Sequence, residues 1–151
     1  MGIDQDILQT RFRSEHQKAA LNILYTYNWI TERTKEIFAT EDITPQQFNI
    51  LRILRGSHPQ PLSTLQIRER MLDKMSDTSR IVDRLIAKGL VKKAICKDDR
   101  RLVDVIITDK GKKLLERLDT RQDELDDIVG NISKKEAAVL SELLDKIRNA
   151  K

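Results

Sequence analysis

Hydrophobic residues recur at helical spacing through most of this chain, and the places where the spacing fails divide it into elements. Residues 11–39 carry Leu21, Leu24, Ile30, Ile37 and Phe38, with Ala19, Ala20, Ile23 and Tyr27 between them, and no Gly or Pro interrupts the run. The pattern predicts a helix roughly 40 Å long. Its apolar positions fill more than one narrow stripe. That is more apolar surface than one small domain covers, so part of it is expected to meet a partner chain.

A polar break at 40–44 leads into Thr44-Pro45-Gln46-Gln47. Thr44 can cap the free amides, Pro45 suits the first helical position, and Gln47 can bond back to the Thr44 amide. The helix so opened carries Phe48, Leu51, Ile53 and Leu54 and stops in Gly56-Ser57-His58-Pro59-Gln60-Pro61. Ser63-Thr64-Leu65-Gln66 is a second capping box, opening a short helix with Leu65, Ile67 and Met71. After a break near 73–75, Ser76 is the expected cap of a helix that turns Val82, Leu85 and Ile86 inward. Gly89 is its expected stop.

The period then changes. Leu90, Val91 and Ile95 read as a short strand, Lys97-Asp98-Asp99-Arg100-Arg101 as a charged turn, and residues 102–107 as a β-branched strand with Val103, Val105 and Ile107 on one face. This predicts a two-stranded hairpin with a basic tip, packed on the preceding helices. Thr108 is the expected cap of a helix over 109–129. Ser133-Lys134-Lys135-Glu136 is a third capping box, ahead of Val139, Leu140, Leu143, Leu144 and Ile147.

Three middle helices followed by a hairpin make a winged helix-turn-helix, in which the third helix enters the major groove. The expected fold is therefore mainly α with a small β-hairpin wing. Three regions follow: 1–44 an N-terminal dimerisation helix, 45–110 the DNA-binding region, and 111–151 C-terminal dimerisation helices. Periodicity turns Ser76, Asp77, Thr78, Arg80, Asp83, Arg84 and Lys88 outward on the reader helix. Hydroxyls (Ser76, Thr78, Ser79) and Arg80 near its N-terminal end suit base edges. Lys74 and Lys88 suit phosphates.

Charge sharpens this picture. Residues 45–110 hold 14 basic and 8 acidic groups, residues 1–44 hold 5 and 7, and residues 111–151 hold 9 and 9. The whole positive excess lies in the segment with the reader helix and wing, as a polyanion partner requires. Composition excludes other classes. At 151 residues with 5 Gly and 3 Pro the chain is mostly regular structure. One cysteine, Cys96, allows no internal disulfide, and two histidines, His16 and His58, are too few for a histidine zinc centre. No metal site and no cofactor are expected. No apolar run is long enough for a membrane span, and the acidic first fifteen residues predict no signal peptide, so a cytoplasmic location is expected. No catalytic motif stands out.

The segment Met75-Ser76-Asp77-Thr78-Ser79-Arg80-Ile81-Val82-Asp83-Arg84-Leu85 through Gly89-Leu90-Val91, followed by Asp99-Arg100-Arg101 and then Thr108 and Gly111, resembles the MarR family of bacterial transcriptional regulators. The resemblance extends over nearly the whole chain. Arg68 departs from it, standing where the family usually has a small alanine. The resemblance implies a homodimer held by N- and C-terminal helices, a winged module in each protomer, and a palindromic promoter site in double-stranded DNA. It also implies, for many members, release from DNA by a small aromatic or phenolic compound.

On the wing, Arg101 is the expected minor-groove residue, with Arg100 at phosphate, Lys97 nearby and Asp99 orienting an arginine. For an effector, Tyr25 and Trp29 lie four apart on one helix face, and Arg52 and His58 are candidates to face the same cleft. Such a set suits a planar anionic aromatic compound, and it equally suits an aromatic junction between helices. Cys96, beside Lys97, is a weak redox candidate. The alternative function is a protein-binding winged-helix adaptor without DNA readout. Acidic or apolar residues on the reader helix would mark it, and Arg80 and Arg84 argue against it.

Overall fold

The computed structural model describes residues 1–95 and 103–149. The described chain forms two compact units, Met1–Thr120 and Arg121–Lys151. The first contains α1 (Ile3–Asp6), α2 (Glu15–Ala39), α3 (Pro45–Ser57), β1 (Leu62–Ser63), α4 (Thr64–Arg70), α5 (Thr78–Ala87), β2 (Val91–Ile95), β3 (Val103–Ile107) and α6 (Asp109–Asp119). The second contains α7 (Gln122–Asp127) and α8 (Lys134–Arg148). No helix among the described residues is long and apolar enough to cross a membrane.

Local chemistry sets the helix starts. Thr44, Ser63 and Ser133 each accept a bond from the third helical residue, and Gln47, Gln66 and Glu136 bond back, which completes all three expected capping boxes. The long helix begins at Glu15 rather than at residue 11. Ser14 is extended and caps Gln17 N, while Gln17 Oε1 accepts from Arg13 N, so the chain before it is committed to the cap.

α3 is the centre of the first unit. Ile50, Leu51 and Leu54 are sealed from solvent, and around them lie Ile67 of α4, Val82 and Leu85 of α5, Val105 of β3 and Leu115 of α6. Truncating any of these leucines or isoleucines to Ala is expected to cost about 2–5 kcal/mol. α2 joins this core only at its end, where Ile37 and Phe38 are buried and Phe38 stacks on Phe48 with centroids 4.2 Å apart. Further up α2, Leu24 and Tyr27 stay more than half exposed. Two bidentate ion pairs tie α6 down: Arg55 to Asp119 and Arg117 to Glu41.

The hairpin carries a third strand that its own pattern does not announce. β1 pairs antiparallel with β3, giving the order β1-β3-β2, with Leu62 opposite Val105 and Lys93 opposite Val105 from the other side. Two residues are too short to show a period of two. The expected helix over 109–129 is two helices. Leu114, Leu115 and Leu118 are buried, but the next positions on that stripe are Arg121 and Gln122. The apolar seam fails there, and Thr120 turns its hydroxyl back onto the Arg117 carbonyl at 2.6 Å.

In the second unit, α8 carries Val139, Leu143 and Ile147 at spacings of four, with Leu140 beside them. All four are 45–58% exposed.

Candidate nucleic-acid interface

The helix α5, the expected reader, is held by the turn before it. Leu72 N donates to Asn49 Oδ1 of α3 at 2.9 Å, and Arg68 Nε of α4 donates to the Lys74 carbonyl at 3.0 Å. Arg68 is thus exposed and clamps the turn, while the neighbouring Ile67 is fully buried and keeps the helix packing intact. Ser76 is not the cap. Its hydroxyl donates to the Asp73 carbonyl at 2.7 Å, and Asp77 caps instead, accepting from Arg80 N at 3.2 Å. A carboxylate at a helix start also suits the dipole.

The helix separates its faces strongly. Val82 and Leu85 are buried, whereas Ser79, Arg80, Asp83 and Arg84 are exposed. Arg80 and Arg84 lie one turn apart on the same face. Among the described residues neither guanidinium has a hydrogen bond or ion pair, so both are available to a ligand. Asp83 is 3.9 Å from Lys93 of β2, a weak exposed link from α5 to the wing strand.

Thr78 departs from its expected outward position. It is 5% exposed, and its hydroxyl has no partner among the described residues. Thr78 stands four before Val82 and seven before Leu85, so helical spacing puts it on the buried stripe of α5 with them. A groove of about 430 Å³ runs here, between Leu65 and Arg68 of α4 and the stretch Met75–Ser79. Lys74 is exposed in the turn. Lys88 closes α5 as its C-cap, and its ammonium is turned to the Asp42 carbonyl. Lys97, Asp99, Arg100 and Arg101, together with Cys96, lie outside the described residues.

Of the candidate effector residues, Tyr25 and Trp29 share a face of α2, with Tyr25 38% exposed and Trp29 half-buried. The partner found for Trp29 is Arg33, whose guanidinium sits 3.7 Å from the ring centroid. Arg33 was signalled by its spacing of four from Trp29, a turn further along the same face. Arg52 is exposed on α3, with its guanidinium 5.8 Å from the Phe48 ring, and His58 is exposed at the C-cap of that helix. Among the described residues, no hydrogen bond, ion pair or cation–ring contact joins either of them to Trp29.

Residues 43–103 match the model of the MarR family. A MarR transcription factor from Planctomyces limnophilus is 35% identical, with 93% of this chain and 100% of that chain covered and a TM-score of 0.67. The HTH-type transcriptional regulator MhqR of Bacillus subtilis (strain 168) is 28% identical over 122 residues, 80% of this chain and 83% of the relative. A mutant MarR from E. coli, solved with operator DNA, has a TM-score of 0.80 at 24% identity, covering 91% of this chain and 99% of that one, and shows likeness of fold.

Proposed function

We propose, from the fact that the chain belongs to the MarR family, that this DNA-binding transcriptional regulator is a homodimeric repressor of a palindromic operator, released by a small aromatic compound. The observation that carries the reading is the exposed couple Arg80 and Arg84, unpaired among the described residues, on a helix whose opposite face is sealed into the core. Guanidinium groups in such a fork suit guanine edges and phosphates.

Residues 45–110 do the reading in this account. Ser76 in the turn before α5, and Ser79 and Arg80 in its first turn, face base edges; Arg84 and Lys74 face the backbone. Thr78 supports the helix start from inside. On the wing, Arg101 takes the minor groove, with Arg100 at phosphate and Lys97 nearby, and the resemblance gives Asp99 the orienting role. The flanks, 1–44 and 111–151, hold the partner protomer. Support comes from the exposed apolar residues of α2, Leu24 and Tyr27, and of α8, Val139, Leu143 and Ile147. A two-fold dimer then demands a site of matching symmetry.

The effector reading rests on Tyr25, Trp29 and Arg33, which form a ladder of two rings and a cation on one helix face. Arg52 and His58 are its further candidates. The test of the whole reading is a mobility shift on genomic fragments with salt varied, repeated with phenolic compounds while Trp29 fluorescence is followed. The reading expects salt-dependent, fragment-selective binding that weakens as the fluorescence saturates. Equal binding to every fragment, or quenching without loss of DNA, contradicts the repressor and the effector parts respectively.

A further inference from the structure

Lys88 sits at the end of the reader helix, and helical spacing puts it on the face turned to DNA. Its ammonium is already engaged within the protein. Lys88 Nζ donates to the backbone carbonyl of Asp42, in the loop between α2 and α3. It lies 3.4 Å from Gln47 Oε1 and 3.8 Å from the Asp42 carboxylate.

These acceptors are unequal. The Asp42 carboxylate is fully exposed, so the ion pair is screened and weak. The carbonyl is fixed by the backbone: Asp42 has φ 55°, in the left-handed region, and its N–H is bonded to the Ala39 carbonyl at 3.0 Å. Gln47 is buried, and its Oε1 also accepts from Thr44 N. An ammonium has three donors, and here three acceptors surround it.

The same end of α5 is gripped elsewhere. The Lys88 carbonyl accepts from Lys110 Nζ of α6 at 2.8 Å. Glu41, one residue before Asp42, is held in a fork by Arg117 of the same helix. The loop that ends α2, the end of α5 and the face of α6 are therefore fastened to one another through charged groups.

We propose that Lys88 is a positioning residue for DNA reading: its ammonium seats the end of α5 on the Asp42 carbonyl and so fixes the angle at which Arg80 and Arg84 meet the duplex, and it neutralises no phosphate. The proposal rests on the reading of α5 as the DNA reader. It follows from geometry, because hydrogen bonds to base edges tolerate only small displacements, whereas phosphate attraction tolerates large ones. A loosened seat costs discrimination first.

The experiment compares the full-length chain with Lys88→Met on the best-bound duplex and on its scrambled version, across a salt series. The expected result is about a tenfold loss on the specific duplex, the scale of one charge-assisted hydrogen bond. Affinity for the scrambled duplex and the salt slope stay unchanged. If both affinities fall together and the slope shrinks by about 0.9, Lys88 is a phosphate contact and the proposal is overturned. An equal loss on both duplexes at constant slope marks a general loss of folded protein and overturns it too. Should Lys88→Met fail to fold, Lys88→Arg serves instead. A phosphate contact survives in arginine, while a seat shaped for one ammonium does not accept a planar guanidinium, so discrimination again falls. Wild-type discrimination in Lys88→Arg overturns the proposal. A wild-type chain that binds both duplexes alike overturns the reading of α5 itself, and this role with it.

Discussion

A β-carbon built on Gly111 would stand 2.3 Å from the Leu90 carbonyl oxygen. The first turn of α6 is pressed against the entrance to β2 that closely. The same Leu90 carbonyl accepts from Thr108 N at 3.1 Å, and Thr108 Oγ1 donates to the Gly89 carbonyl at 2.7 Å. Only a residue without a side chain fits between two backbones so joined.

Gly111→Ala therefore destabilises the fold, although alanine favours a helix by about 1 kcal/mol over glycine. Overpacking costs about 1–3 kcal/mol, toward the upper end where the clash is with backbone, so the expected net loss is about 1–2 kcal/mol. Urea unfolding checks it: the midpoint falls while the slope with denaturant is unchanged. A raised midpoint would show that the strand end yields.

Short-range features of the fold were legible because their causes lie within a few residues. Thr44 with Gln47, Ser63 with Gln66 and Ser133 with Glu136 each carry both halves of a capping box three positions apart. Where a residue had a competing local partner, the same logic misassigned it: Ser76 looked like a cap, but the Asp73 carbonyl takes its hydroxyl. The four-residue α1 and the two-residue β1 are too short to show any period. The site was legible in its exposed members, Arg80 and Arg84, because periodicity alone decides their face. Lys88 was not, because its acceptor lies 46 residues away in the chain. Nothing in the neighbouring sequence records that contact.

The N-terminus of α8 titrates. The backbone hydrogen bond at Ser133, then the Ser133 side chain, hold the Glu136 carboxyl below its ordinary value. A depressed folded-state value means that the contribution is present above the unfolded value and is lost as pH falls through the folded one. NMR titration of the Glu136 carboxyl should give a midpoint below that of an exposed glutamate. Acidification through it should fray the first turn of α8, and Ser133→Ala, which removes the hydroxyl and leaves the backbone N–H, should reduce the depression without abolishing it. A midpoint at the ordinary glutamate value would contradict the capping box.

Arg80 and Arg84 are predicted to differ in kind. Arg80→Ala should cost about 1–3 kcal/mol on the specific duplex and flatten discrimination. Arg84→Ala should weaken specific and scrambled duplexes together and reduce the salt slope. Anisotropy titrations on both duplexes separate the two. If Arg80→Ala lowered both affinities equally, Arg80 would be a backbone contact.

The stripe of Val139, Leu143 and Ile147 predicts the partner. Sedimentation at micromolar concentration should give about twice the 17.5 kDa chain mass. Leu143→Glu should shift the chain toward the monomer while its helix content stays constant. Leu143 is 54% exposed in the single chain, so a charge there is tolerated unless another protomer covers it. A wild-type monomer, or an unaffected dimer in Leu143→Glu, would remove α8 from the interface.

Selection from random double-stranded DNA, followed by sequencing of the bound pool, tests the central claim most directly. A two-fold dimer carrying one reader helix per protomer predicts an enriched site with inverted half-sites about one helical turn apart, roughly 34–36 Å. The enriched duplex should bind at least about a thousandfold more tightly than a scrambled one at matched salt. A pool without inverted symmetry would contradict the dimeric reader. A pool that is never enriched, with binding that depends on salt alone, would contradict α5 as a reader of sequence.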